Sequence, residues 1–210
     1  EIVNLLLLGG HVGKKGAGFC PVRGHSNVQG DRTVGIWEAP TDAFLDRLQE
    51  GLGFEVPREH GHDVVNAIDA MVRSDIDFFF CMGGNFLSAT PDTDVTARGL
   101  SKIPLTVQVS TKLNRSHLVT GETAIILPCL GRTELDVQGG VKQFVTVENS
   151  MGVVHRSQGG LQPASTSLRS EPWIVAELAE STLGIEHLEW RVLGQDYSKI
   201  RDLMEQSLFG

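Results

Sequence analysis

The stretch that most constrains the fold runs from Gly61 to Asn85, "GHDVVNAIDAMVRSDIDFFFCMGGN". Its first part has the period of an amphipathic helix, with Val64, Val65, Ile68, Met71 and Val72 recurring on one face. Its second part, "DFFFCMGG", is a continuous apolar run stopped by glycines. A run with no alternation has no side to offer to water, so it is expected to be a strand buried on both faces, as in parallel sheets. A helix that feeds directly into such a strand is the repeating unit of α/β proteins. The chain then reads as a polar loop and short helix ("TPDTDVTARGLSK"), a second strand ("IPLTVQVS") and a third ("ETAIILP") stopped by Pro128. The expected fold is α/β: a doubly wound, mainly parallel sheet flanked by helices.

The remaining segments fit around that sheet. Residues 1–9 read as the last turns of a helix ended by Gly9 and Gly10. With no beginning to that helix, the chain is expected to be an excised piece of a longer protein. Residues 10–40 are rich in glycine and polar residues without a period, which predicts one long Gly-rich polar loop. Asp42 is placed to cap a helix reaching about Gly51. Beyond Pro128, "LGRTELDVQGG", "KQFVTVENS" and "GVVHRSQGG" read as a few extra short strands in loops. Ser170 is placed to cap "EPWIVAELAESTLG", with Pro172 in the first turn and Gly184 at the end, and "DYSKIRDLMEQSLFG" reads as a last helix. This divides the chain into an α/β unit over 1–170 and C-terminal helices over 171–210, packed on it or leading to a next domain.

Charge and cysteine content remove several function classes. A net charge of −8 argues against non-specific nucleic-acid binding, which needs a basic face. The apolar runs are too short to span a bilayer. Cys20, Cys81 and Cys129 form no C-x-x-C pair, so neither a disulfide framework nor a zinc knuckle is expected. The expectation is a reduced, cytoplasmic protein in which Cys81 and Cys129 are small buried hydrophobes. Common motifs fail as well. "GGHVGKKGAG" has Leu8 where a P-loop needs its first Gly, and Lys15 where it needs Ser or Thr. No G-x-G-x-x-G follows a strand, and no H-E-x-x-H or G-x-S-x-G occurs.

Open α/β sheets bind ligands beyond the carboxyl ends of their strands. Here those ends lead into Gly83, Gly84 and Asn85, into Ser110 to Asn114, and into Pro128 to Glu134. Glycine lets the backbone approach a ligand, and Asn and Ser supply donors and acceptors. The same residues also build plain tight turns. On residues alone, the chain is an α/β domain for a nucleotide-like ligand or an interaction module on such a sheet.

The long loop adds more. "GGHVGKKGAGFCPVRGHSNVQGDRTVGI" resembles the G-x-x-G-x-x-G-x-G stretch and P-x-R-G-x-x-N-V-Q-G run of the molybdopterin-dependent oxidoreductases of the DMSO reductase superfamily, in particular the formate dehydrogenase alpha-subunit-like branch. The matching positions are Asn4 and Leu5, the glycines at 10, 13, 16 and 18, and Pro21 through Gly30. "CMGGNFLSATPD" resembles that family's G-x-N-x-x-x-x-x-P-D loop, and "ETAIILP" a shortened form of its E-T-A strand. "FVTVENSMGVVHRSQG" resembles a further family segment. The resemblance covers about residues 1–160, in one order.

The resemblance implies a cofactor-binding domain of a bis-molybdopterin guanine dinucleotide enzyme with molybdenum or tungsten. Gly83 and Asn85 would touch one dinucleotide, with Gln108, Ser110 and Asn114 lining its pocket. Asn27 and Gln29 would join the cofactor-binding set on the metal side. Arg23 would position a small anionic substrate such as formate, and His25 would be a proton partner. Several of the better-known formate dehydrogenases have Gln where His25 stands, so the alternative role for His25 is to hold a different hydrogen-bond network rather than to transfer a proton. Any iron–sulfur cluster, the metal-ligating residue and the electron-transfer partner would lie outside this chain, so the 210 residues alone are not expected to be active.

Overall fold

The computed structural model describes residues 1–20, 24–25, 28–149 and 151–208. It has a mixed α/β fold. Helices α1 (Ile2–Leu8), α2 (Val28–Thr33), α3 (Asp42–Leu52) and α4 (Val64–Arg73) precede the first strand, β1 (Phe78–Met82). Helices α5 (Phe86–Ala89) and α6 (Thr93–Leu100) lead to β2 (Leu105–Ser110). A 3₁₀ turn over Arg115–Leu118 leads to β3 (Thr123–Pro128). The order in the sheet is β1-β2-β3, all parallel. Two antiparallel ribbons follow, β4 (Val137–Gln138) with β5 (Val141–Lys142), and β6 (Val145–Glu148) with β7 (Val154–Ser157). Helices α7 (Glu171–Leu183), α8 (Trp190–Gln195) and α9 (Tyr197–Leu208) come last.

Helix α4 starts where Asp63 accepts a hydrogen bond from the Asn66 amide (2.8 Å), a conventional N-cap. Its inner face delivers Met71 to a core cluster with Leu87, Leu100 and Ile103, each no more than 3% exposed. Phe79 of β1, Phe86 and Val119 pack against that cluster. Burying side chains of this size stabilises by about 1.5–3 kcal/mol each, so this layer of α4, α5 and α6 anchors one face of the sheet. The other face turns Phe80, Val107 and Ile125 toward α7. Helix α9 packs along α3, where Gly51 meets Ser207 closely. The C-terminal helices are clasped to the first ribbon by Tyr197. Its hydroxyl donates to Asp136 (2.5 Å) and lies 2.6 Å from the Ser170 hydroxyl, while its amide donates to Gln143 (3.0 Å).

The parallel sheet flanked by helices, the late short strands and the Ser170 cap follow the expected pattern. Several local expectations need correction. β1 is not buried on both faces: it is an edge strand with no strand paired outside it among the described residues, and Phe78 and Met82, on the same face of the strand as Phe80, are exposed because that face is only partly covered. The stretch 10–40 is not loop throughout, since residues 28–33 close a short helix continued by the Val34 amide donating to Gly30 (3.1 Å). The cap of α3 is Thr41, whose hydroxyl accepts from the Phe44 amide, and not Asp42. On α4, Val64 and Val65 are exposed and Ala70 is buried instead, because only the second half of the helix reaches the core. Cys129 is buried as expected, whereas Cys81 is half-buried on the edge strand. Helices α5 and α8 are short and carry no clear period in the sequence. Among the described residues, no helix is long and apolar enough to cross a membrane.

Candidate functional site at the strand ends

β1 ends in two successive left-handed residues, Gly83 (φ 69°) and Gly84 (φ 71°). Only glycine takes this conformation without steric cost. The Gly83 amide donates back to the Val109 carbonyl (2.8 Å), so the turn stays tied to the central strand. A side chain at Gly84 would meet nothing within 4 Å, so open space lies in front of this backbone.

The loop after β2 grips that turn. The Asn114 side-chain amide donates to the Gly84 carbonyl (2.7 Å), and its oxygen accepts from the Ser116 amide (2.9 Å). The Ser116 hydroxyl accepts from the Leu87 amide (2.9 Å) and donates to the Asn85 side-chain carbonyl (2.8 Å). The Ser116 carbonyl accepts from the buried Gln108 side chain (3.0 Å). His117 completes a capping box, with its Nδ1 accepting from the Asn114 amide (3.0 Å). The ring's Nε2 is buried without a hydrogen-bond partner among the described residues. The strand-end loops are thus held in one arrangement by a network that spans about thirty residues of sequence.

The third strand end carries acids. The Glu134 carboxylate accepts from the Gly131 amide (2.6 Å) and the Ala164 amide (2.7 Å), which holds its carboxyl below the ordinary carboxylate range. Glu171 opens α7, and its Oε1 would lie 3.9 Å from a methyl group built on Gly83. Burial of part of this side chain raises the Glu171 carboxyl. The Cys129 thiol between them is pushed up to about 11, first by burial and then by the charges of Glu171 and Glu134. It is therefore a protonated, unreactive thiol near neutral pH. No group of three His, Cys, Asp or Glu side chains arranged to hold a metal occurs among the described residues.

Of the residues singled out from sequence, Gly83, Asn85, Gln108 and Asn114 come together in this network. Gln108 sits inside it, bracing Ser116, rather than on its open side. Ser110 closes on its own loop, donating to the Lys112 carbonyl (2.6 Å). His25 is exposed, and Gln29 lines a separate groove with Asp31, Thr33 and β6. Arg23 and Asn27 lie outside the described residues. Sequence reasoning missed Ser116 and His117. The available signal was Asn114 followed three residues later by His, the spacing of a capping box.

No family model matches the chain. It is 56% identical to an uncharacterized oxidoreductase of Mycobacterium tuberculosis (strain H37Rv) over 203 residues, which is 96% of this chain and 26% of that protein. It is 48% identical to protein YdeP of Escherichia coli (strain K12) over 208 residues, 99% of this chain and 27% of that protein. At greater distance it is 24% identical to a nitrate reductase of Shewanella frigidimarina over 206 residues, covering 90% of this chain and 20% of that protein. The chain therefore spans about a quarter of the length of the nearer relatives it matches. Its similarity runs to proteins named as oxidoreductases.

Proposed function

We propose that this chain is the part of a molybdenum oxidoreductase that holds a pterin–guanine dinucleotide at the carboxyl ends of its strands. The observation that carries this reading is the rigid Gly83–Gly84 turn with open space before it, locked by Asn114 and Ser116. Such a turn lets the ligand come close to backbone, as dinucleotide sites on open α/β sheets require. The oxidoreductase names of the relatives and the distant nitrate reductase favour the same direction.

The residues present fit a nucleotide better than a bare anion. The Asn114 side-chain amide is fixed on the Gly84 carbonyl, and the carboxylate of Glu171 stands close to Gly83. A carboxylate repels phosphate and accepts from hydroxyl or amine groups. This favours ribose or base, rather than pyrophosphate, beside Glu171. In the full-length enzyme the cofactor's metal supplies two-electron chemistry on a small anion such as formate. This chain's own residues bind and orient. The Asn114–Ser116–Gln108 network keeps the turn from moving as ligand enters, and Gly84 leaves the approach clear. Arg23 and His25 are assigned to the substrate side on the P-x-R-G motif, with Arg23 orienting the anion through its planar guanidinium and His25 as proton partner.

The test uses the full-length protein, purified from cells that make the cofactor. Molybdenum and tungsten are assayed together with guanine nucleotide released on denaturation. Metal and nucleotide found together, and both reduced by Asn114→Ala, are the expected result. Nucleotide without metal would favour a non-catalytic nucleotide-binding module. Finding neither metal nor nucleotide would overturn the reading.

A further inference from the structure

Arg156 and Arg201 reach one aromatic ring from different segments. Arg156 stands on β7 and Arg201 on α9, and each guanidinium carbon lies 4.3 Å from the ring centroid of Phe144, the residue before β6. The ring attracts each cation modestly, while the two like charges repel each other. A carboxylate beside them would offset that repulsion, and none is present. Among the described residues no Asp or Glu lies within ion-pair distance of either arginine, whereas Arg32, Arg58, Arg73 and Arg191 each have such a partner. Every Asp and Glu of the chain falls within those residues, and acids outnumber Lys and Arg by 26 to 18. Asp196 feels the charges of Arg201 and Lys199, but its carboxylate accepts from the Ser198 hydroxyl (2.6 Å) and amide (3.0 Å). In so acidic a chain, two cations gathered on one ring without an acid leave a place for an anion from outside these residues.

The ring is held in position. The neighbouring Gln143 is buried, and its side chain accepts from the Tyr197 amide (3.0 Å) and donates to the Gln195 carbonyl (3.2 Å). Arg201 is fixed as well, donating through Nη1 to the Phe144 carbonyl (3.3 Å). The cations are therefore assembled before any ligand arrives, which lowers the cost of binding. A guanidinium seated over a ring keeps its in-plane N–H donors for oxygen partners, and its fork matches carboxylate and phosphate oxygens. An uncharged ligand would leave both charges unbalanced. Lys142 and Lys199, exposed on β5 and α9 and likewise without an acid within ion-pair distance, add attraction for an anion.

We propose that Arg156 and Arg201, seated on Phe144, form a binding site for an oxyanion, the phosphate or carboxylate group of a small-molecule ligand. The inference does not rest on the cofactor reading, because none of these residues belongs to the Gly83–Ser116 network.

The test is modification of the full-length protein with phenylglyoxal, read arginine by arginine by peptide mass spectrometry. Inorganic phosphate and acetate are the probes, each compared with chloride at the same ionic strength. Arg156 and Arg201 should react in chloride and be slowed together by one probe or both. The slowing should be on the order of tenfold once the site is nearly filled. Arg73, exposed and paired with Asp75, should keep its rate. Protection at lower concentration by phosphate marks a phosphorylated ligand, and by acetate a carboxylate one. In Arg156→Gln, Arg201 should return to within about twofold of its chloride rate in the presence of the probe. Equal rates in chloride and in both probes overturn the proposal. So does protection of both arginines in chloride alone, since an acid of the longer polypeptide then fills the place. Protection of Arg201 that survives Arg156→Gln also overturns it, because the two do not then share an anion. If Arg156→Gln fails to fold, the protection pattern of the unsubstituted protein decides by itself.

Discussion

Ser116 shows how much one small side chain can carry. Its hydroxyl satisfies the buried Leu87 amide and holds Asn85. In Ser116→Ala the amide loses its acceptor, at a cost of about 1–3 kcal/mol. The expected outcome is hydrogen exchange at Leu87 faster by on the order of tenfold to a hundredfold. Unchanged exchange there would remove Ser116 from its central place. Two glutamates make opposite pH predictions. The amides on Glu134 lower its carboxyl from the ordinary 4.5, so its contribution is full above that value and is lost as pH falls through the lower folded value. Burial raises Glu171, so its penalty is absent below 4.5 and grows as pH rises toward the raised folded value. In thermal unfolding, Glu134→Gln should therefore melt earlier than the parent at neutral pH, and Glu171→Gln later. Both differences should shrink in acid. Asn85 and Asn114 were legible from their place after strands. Ser116 was not, because its partners lie 29 and 31 residues away and only folding brings them near.

At the scale of elements, two glycines near strand ends are needed for different reasons. Gly84 is left-handed with open space around it, so Gly84→Ala meets only the backbone penalty of about 1–2 kcal/mol. Gly121, just before β3, is crowded: a side chain there would lie 2.0 Å from the Ile103 carbonyl oxygen. Gly121→Ala must push β3 away from the loop after α6, where the Glu122 amide bonds the same carbonyl (3.0 Å). Soluble yield and thermal unfolding should therefore suffer far more from Gly121→Ala than from Gly84→Ala. Equal effects would mean that the close approach at Gly121 is not what orders β3. The apolar run of β1 predicted its strand correctly and its burial wrongly. Hydrophobicity reports what a segment needs to bury against, and within these residues β1 finds cover on one side only.

Across the whole molecule, the Tyr197 clasp joins segments 61 residues apart. Its hydroxyl is buried and lies against Asp136, which holds its pKa well above the ordinary value. It therefore acts as a neutral donor at all physiological pH. Tyr197→Phe leaves Asp136 and Ser170 without this partner, at a cost of about 1–3 kcal/mol. The expected readout is faster proteolysis and exchange confined to α8 and α9, with the strand-end network unchanged. Loosening of the strand ends as well would show that the C-terminal helices support the site directly.

What the sequence determined by itself was local. The Ser170 cap, the glycine stops, the order of helices and strands, and the polar character of the strand-end loops all follow from neighbours a few residues apart. Their physics is that of short-range sterics and hydrogen bonding. The tertiary structure decided which strand lies at an edge and which half of α4 meets the core. It also decided that Gln108 braces the site from within, and that Ser116 joins one loop to the other. Those outcomes depend on contacts between segments far apart in the chain, which no short window of sequence contains.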